Sequence, residues 1–144
     1  MAERLPAWAR AFVSQARVGR LATASADADP HVIPVVFALV DDALYIAIDE
    51  KPKSGRRLKR LRNIEQTGRA ALVIDHYEED WRQLAWVLAR GSARVLGPDD
   101  PAHAPALAGL REKYAQYRGM RLERAELIEL RPERWVAWKA DSGG

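Results

Sequence analysis

Apolar residues recur along this chain with two different periods, and the switches between them mark its elements. After Leu5-Pro6, the positions Trp8, Phe12, Val13 and Ala16 follow helical spacing. Pro is well tolerated at a first helical position, and Gly19 can end the run, so a short amphipathic helix is predicted over 6–17. The period then drops to two. Gly19 to Ser25 alternates, Asp27-Ala28-Asp29-Pro30 reads as a turn, and His31 to Val40 is a long β-branched apolar strand. Pro34 lies inside that strand and cannot donate a ladder hydrogen bond, which marks an edge or a bulge. Asp41-Asp42 turns the chain into a third strand, Ala43 to Ile48.

A second helix follows, with Ser54 as its predicted cap and Gly68 as its end. Leu58, Leu61 and Ile64 form its apolar stripe, and its basic residues fall mostly on the other faces. Strands are predicted from Arg69 to Tyr77 and from Leu84 to Leu96, with Gly91 placed for a bulge or a close backbone approach. A third helix is predicted over 102–117, closed by Gly119. Two last strands, Glu126 to Leu130 and Trp135 to Lys139, flank a turn at Arg131-Pro132-Glu133. Strands and helices do not alternate regularly, which argues against a parallel doubly wound sheet. Hairpin-linked strands favour a mainly β protein, an antiparallel barrel with added helices. We read residues 1–144 as one domain whose tail from 140 onward is frayed.

Composition narrows the chemistry. The chain has no cysteine, so disulfides, thiolate catalysis and cysteine-bound zinc are excluded. No apolar run approaches the roughly 18 residues of a membrane-spanning helix, and the N-terminus does not read as a signal peptide. The expected location is the cytoplasm, with no membrane partner. Net charge is only +3, but its distribution is uneven. Seven basic residues (Lys51, Lys53, Arg56, Arg57, Lys59, Arg60 and Arg62) fall in a stretch without an acid, and the rest of the chain is net acidic.

A basic loop leading from a strand into a helix suits an anion, since the helix N-terminus and the Arg and Lys side chains all favour negative charge. Phosphate is the natural occupant. A solvated cationic helix face would have the same composition. No Walker-type loop is present. Aromatics are not interleaved with the run, so no nucleic-acid partner is expected. His31, His76 and His103 show no metal-ligand spacing, and no metal site is expected. His31 reads as surface or pocket rim, His76 as a polar strand end, and His103 as surface. No serine lies in a nucleophile elbow, and Glu78-Glu79-Asp80 reads as a solvated loop. Side chains alone therefore suggest no covalent or acid–base mechanism, and no catalytic residue is assigned. If the protein is an enzyme, a cofactor carries its chemistry. Five tryptophans are many for this length and suit both core packing and a partner surface.

Taken in order, these segments resemble the pyridoxamine 5'-phosphate oxidase-like split-barrel family. The resemblance rests on Leu21-Ala22-Thr23, Asp29-Pro30-His31-Val32-Ile33-Pro34-Val35, Leu44-Tyr45-Ile46, Lys51-Pro52-Lys53 and Leu58-Lys59-Arg60-Leu61-Arg62-Asn63-Ile64. The continuation Ala71-Leu72-Val73-Ile74-Asp75, Asp80-Trp81, Trp86-Val87 and Gly91-Ser92-Ala93 looks like its actinobacterial branch of enzymes dependent on coenzyme F420, a deazaflavin. The resemblance implies a six-stranded antiparallel split barrel that forms a homodimer, with flavin or deazaflavin sites at the dimer interface. It implies phosphate binding by Lys51, Lys53, Arg57, Lys59 and Arg60. It places Ile48 and Asp49 along the cofactor rings by backbone contacts, with Pro34 and Val35 approaching from the neighbouring strand. It also implies hydride transfer to or from a small organic substrate. The C-terminal substrate-binding pattern of the vitamin B6 oxidases is absent after Trp138, which argues against pyridoxamine phosphate as substrate. The alternatives are an FMN-binding oxidase or flavin reductase, and a cofactor carrier without turnover.

Overall fold

The computed structural model describes residues 4–49 and 55–141. Lys51, Lys53, Ser54 and the tail residues 142–144 lie outside them. The described chain runs α1 (Ala7–Gln15), β1 (Gly19–Ala24), β2 (Pro30–Val35), β3 (Ala38–Val40), β4 (Ala43–Ala47), α2 (Lys59–Thr67), β5 (Arg69–His76), β6 (Ala85–Leu96), α3 (His103–Lys113), α4 (Ala115–Arg118) and β7 (Leu127–Lys139). A short 3₁₀ turn, Trp81–Gln83, precedes β6. All strand pairs are antiparallel, in one sheet of order β2-β1-β5-β6-β7-β4-β3.

The sheet curls around a first core. Leu21, Leu72, Ile74, Val87, Ala89, Ile128, Leu130 and Trp135 point inward, and α1 and α2 close that side with Ala9, Val13, Leu61 and Ile64. A second core lies on the outer face of β3 and β4, where Leu107 and Leu110 of α3 and Tyr117 of α4 cover Tyr45, Ala47, Leu96 and Leu127. This explains why β4 is apolar at every position: its five residues are all buried, with layers on both sides. The outer face of the other sheet half keeps Val32, Pro34, Val73, Leu88, Val136 and Trp138 half or fully exposed, with Val32 at 63% and Trp138 at 44%.

Several boundaries differ from expectation. The strand predicted from His31 to Val40 breaks at Val36-Phe37 into β2 and β3, so seven strands are described where the family resemblance implied six. Pro34 does lie on an edge strand, as its missing donor requires. The predicted turn at Arg131-Pro132-Glu133 is instead a bulge within one continuous strand. Arg90 pairs with Arg134 and Gly91 with Pro132, leaving Glu133 as the extra residue. A Pro between two β runs has the same sequence signature in either case. Gly91 sits against that bulge.

Helix α1 is shorter than predicted, and Gly19 opens β1 rather than ending the helix. Helix α2 starts only at Lys59 and ends as predicted at Gly68, which takes the left-handed conformation with φ 67°. The third predicted helix divides at Tyr114 into α3 and α4. His103, expected at the surface, is 3% exposed, and its Nε2 donates to the Ala125 carbonyl at 2.7 Å. Of the tryptophans, Trp135 is core and Trp8 packs partly against it, whereas Trp81 and Trp138 are exposed.

Candidate functional site

Four separate segments converge on a cleft of about 190 Å³ beside the edge of the sheet. Ile33, Pro34 and Val35 of β2 form one wall, continued by Val36. Ile46 and Ala47 of β4, then Asp49 just beyond it, form the other. Arg60 of α2 and Tyr117 of α4 complete the lining. Four of the nine anticipated residues, Pro34, Val35, Asp49 and Arg60, thus border one space. Ile48 is next in line: its side chain packs against the first core and its N–H donates to the Glu126 carbonyl at 3.0 Å. Lys51 and Lys53 lie outside the described residues.

The basic residues of α2 and its approach are sorted by their surroundings. Arg60 is 6% exposed, although the helical stripe placed it on a polar face. Lys59 lies at the same end of the helix, with Nζ 3.4 Å from Asp29. His31 of β2 stands close to both. Burial, then the positive charges of Arg60 and Lys59, push its pKa below the usual imidazole value against the pull of Asp29. Its Nδ1 is buried without a hydrogen-bond partner among the described residues.

Arg57 is placed differently. Its guanidinium donates to Glu65 at 2.7 and 3.1 Å and to Glu126 at 2.9 and 2.8 Å. Those two bonded pairs raise its pKa and lower that of Glu126. Arg57 therefore ties α2 to the chain entering β7, and its donors are engaged within the fold.

Sequence reasoning did not find Tyr117. Its ring is 4% exposed and its hydroxyl donates to Asp49 Oδ2 at 2.6 Å. Burial, then the bond to Asp49, hold the phenol protonated well above its ordinary pKa. The partners are far apart in sequence, and no local pattern announces such a pair. Glu129 was also missed. It is 1% exposed, accepts from Tyr45 Oη at 2.9 Å and Arg94 Nε at 2.8 Å, and lies 3.1 Å from Arg131 Nε. This network stands on the outer face under α3, away from the cleft lining.

Among the described residues no group of three or more His, Asp or Glu is placed to hold a metal ion. His76 Nε2 meets Glu78 at 2.6 Å in an exposed pair. No helix among the described residues is long and apolar enough to cross a membrane.

A curled antiparallel sheet with helices on both faces, and a cleft beside its edge lined by a buried arginine, defines a class of split-barrel proteins. Within it, the chain belongs to the pyridoxamine 5'-phosphate oxidase family, whose model matches residues 5–139. It is 27% identical over 121 residues to the 5a,11a-dehydrotetracycline/5a,11a-dehydrooxytetracycline reductase of Streptomyces rimosus, covering 83% of this chain and 72% of that protein. Among solved structures it resembles a heme-binding protein from Mycobacterium smegmatis, with TM-score 0.72 and 24% identity. That match covers 99% of this chain and 57% of the other. It also resembles an FAD-binding protein from Mesorhizobium loti, with TM-score 0.65 and 22% identity, over 92% and 94% of the two chains. At these identities the two structures speak to the fold alone.

Proposed function

We propose that the protein is an oxidoreductase that binds a flavin-type cofactor, by our reading the deazaflavin coenzyme F420, and acts on a small organic substrate. The observation that carries this reading is the convergence of Pro34, Val35, Asp49 and Arg60 on one cleft beside Lys59 and His31. The fit is chemical. Aliphatic side chains of β2 and β4 (Ile33, Pro34, Val35, Ile46 and Ala47) line the walls beside the polar Asp49, Tyr117 and Arg60. The aliphatic part suits a ring system, and the buried cation Arg60 suits an anionic tail. The bound cofactor would supply the hydride chemistry. The chain's own residues would bind and orient it: Pro34 and Val35 against the rings, Ile48 and Asp49 along their edge, and Lys59 and Arg60, with Lys51 and Lys53, near the phosphate.

Size argues for a second copy of the chain. A cleft of about 190 Å³ falls short of the roughly 300 Å³ at which ligand pockets begin. Pro34 borders the cleft and also stands on the exposed apolar face with Val32, Leu88 and Trp138. We infer that this face pairs in a homodimer whose partner closes the site. The reading places the protein in the cytoplasm, without a nucleic-acid or membrane partner.

Support for the reductase class comes from the Streptomyces rimosus relative. The second reading keeps the fold and takes FMN instead, as an oxidase or flavin reductase; an FAD-binding protein shares this fold. The heme-binding neighbour makes ligand carriage without turnover a distinct outcome. A paired titration of the apo-protein with coenzyme F420 and with FMN, read by Trp fluorescence, separates these. Tight F420 and weak FMN binding is the expected result, and Lys59→Glu should weaken it by at least tenfold while the melting temperature holds. The reverse preference moves the protein to the FMN reading. Tight binding without oxidation or reduction of any acceptor makes it a carrier, and binding of neither ring overturns the assignment.

A further inference from the structure

Both walls of the cleft are held by one short piece of chain, the junction of α3 and α4. Tyr117 reaches the β4 wall through Asp49. Tyr114, three residues earlier, reaches the other: its hydroxyl accepts from the Phe37 N–H at 3.2 Å, where β2 breaks into β3. That hydroxyl also faces the carbonyls of Arg17 and Phe37 at 2.8 and 3.0 Å, and can donate to one at a time. The two rings meet edge to face, 5.9 Å apart at 64°.

The junction is itself braced. Arg111 donates to the carbonyls of Tyr117 and Met120 at 3.1 and 2.7 Å, and Arg118 returns a bond to the Arg111 carbonyl at 2.7 Å. Leu107 and Leu110 anchor α3 in the second core. A four-residue helix would not hold its shape alone; here side-chain bonds fix it.

We propose that Tyr117 is a positioning residue which, together with Tyr114, sets the separation of the two cleft walls and holds the Asp49 carboxylate in one orientation toward the ligand. The proposal rests on the cleft being the cofactor site. Among the described residues Tyr117 is the bonding partner of Asp49, and it engages Oδ2. The other oxygen, Oδ1, is then presented as a fixed acceptor. A ring edge carrying an N–H, as the pyrimidine part of flavins and deazaflavins does, is the chemistry such an acceptor selects. Tyr117 acts through Asp49 and need not touch the ligand.

Two measurements test this, one of them independent of any ligand. In hydrogen–deuterium exchange on the apo-protein, Tyr117→Phe should speed exchange of the 47–49 amides about tenfold and spare Phe37. Tyr114→Phe should speed Phe37 and spare 47–49. Equal loosening of both segments by either variant, or no change, overturns the clamp. In titrations with coenzyme F420 and FMN, Tyr117→Phe and Asp49→Asn should each weaken binding roughly tenfold, the scale of a hydrogen bond to a charged group. The double variant should be no weaker than Asp49→Asn alone. Additive losses would mean that Tyr117 acts by a route other than Asp49. Unchanged affinity alongside altered exchange would mean that the clamped walls do not serve the ligand, and the proposal would fail. A wild-type protein that binds neither ring removes the cofactor reading, and the exchange data still decide the clamp.

Discussion

A single methyl group at Gly91 is expected to be among the most damaging small changes in this molecule. A Cβ built there would lie 2.0 Å from the Arg131 carbonyl oxygen, 2.7 Å from the Glu133 nitrogen and 2.9 Å from the Pro132 Cα. All three are backbone atoms of the β7 bulge, so no side chain can swing aside. A carbon meets a carbonyl oxygen at roughly 3.3 Å, so β7 would have to retreat by about 1.3 Å. Overpacking alone costs about 1–3 kcal/mol. Loss of one or two ladder hydrogen bonds adds roughly 1 kcal/mol each. A total near 4 kcal/mol follows, and at roughly 2.1 cal/mol/K per residue it lowers the melting temperature by about 13 °C.

The reference is Gly68→Ala. That residue has φ 67°, but its built Cβ meets nothing nearer than 4.0 Å. It therefore isolates the conformational cost, about 1 kcal/mol and roughly 3 °C. Paired thermal melts by circular dichroism read both variants. A Gly91→Ala protein melting within 3 °C of wild type, or above Gly68→Ala, would refute the steric reasoning. The first half of β7 pairs with β4, so opening the bulge should also weaken the cleft wall that ends at Asp49.

Glu129→Gln should cost about 2 kcal/mol at pH 7, the scale of a lost hydrogen bond to a charged group and less than a fully buried ion pair costs when broken, because Arg94 is half exposed and keeps Asp100 at 2.6 Å. Burial pushes the Glu129 pKa up, but the bonds from Arg94 and Tyr45 and the Arg131 charge outweigh it, and the folded value lies below 4.5. The unfolded chain takes up its proton first on acidification, so the stabilisation is present above pH 4.5 and lost as pH falls through the folded value. Urea melts across pH should show the wild type and the variant converging in acid; a constant gap would contradict this. Lys113→Met should stabilise the protein by about 1 kcal/mol at pH 7. Its ammonium is buried without an acceptor among the described residues, 4.0 Å over the Phe37 ring, and burial, then the Arg17 charge, lower its pKa to about 8. Between pH 8 and 10.5 the unfolded lysine binds the proton that the folded one has lost, so wild-type stability rises there and the advantage of the variant fades. Arg57→Ala should lower the melting temperature by several degrees while changing cofactor affinity less than Lys59→Glu does, since its donors already serve Glu65 and Glu126. An affinity loss equal to that of Lys59→Glu would place Arg57 in the phosphate site.

What the sequence discloses about this fold is what a backbone cannot disguise. Pro34 has no N–H and lies on an edge; Gly68 accepts a positive φ and ends a helix; Gly91 lacks a Cβ and receives a bulge. Each of these constraints acts within one strand or one turn, so a local reading reaches it. The acid-free run was visible as charge density, but not how it is divided. The burial of Arg60, the capture of Arg57 by Glu126 and the Tyr117–Asp49 bond all depend on segments that meet only after the sheet has closed. His103 and Glu129 were misjudged or missed for a related reason. A polar residue in a mainly apolar strand or at a helix start looks solvated until its partners, here the Ala125 carbonyl and the Tyr45–Arg94–Arg131 set, are brought alongside.

The same closure explains how this chain can hold a cleft between braced walls. Arg57 uses its donors on two glutamates and thereby fixes α2 against the start of β7, beside the Ile48 N–H that donates to Glu126. On that helix Arg60 lines the cleft, and Lys59 and His31 lie close to Arg60 outside the lining. On the opposite side, the tyrosine junction bonds the β2–β3 break and the end of β4. The cleft is therefore bounded by two braces made of side chains that do not carry its positive charge. Binding an anion there would require little reordering of the walls, and ordering is one of the main costs that association must offset. Changes in the braces should then appear first as weaker binding and faster amide exchange, and changes in Lys59 or Arg60 as lost anion selectivity on an intact frame.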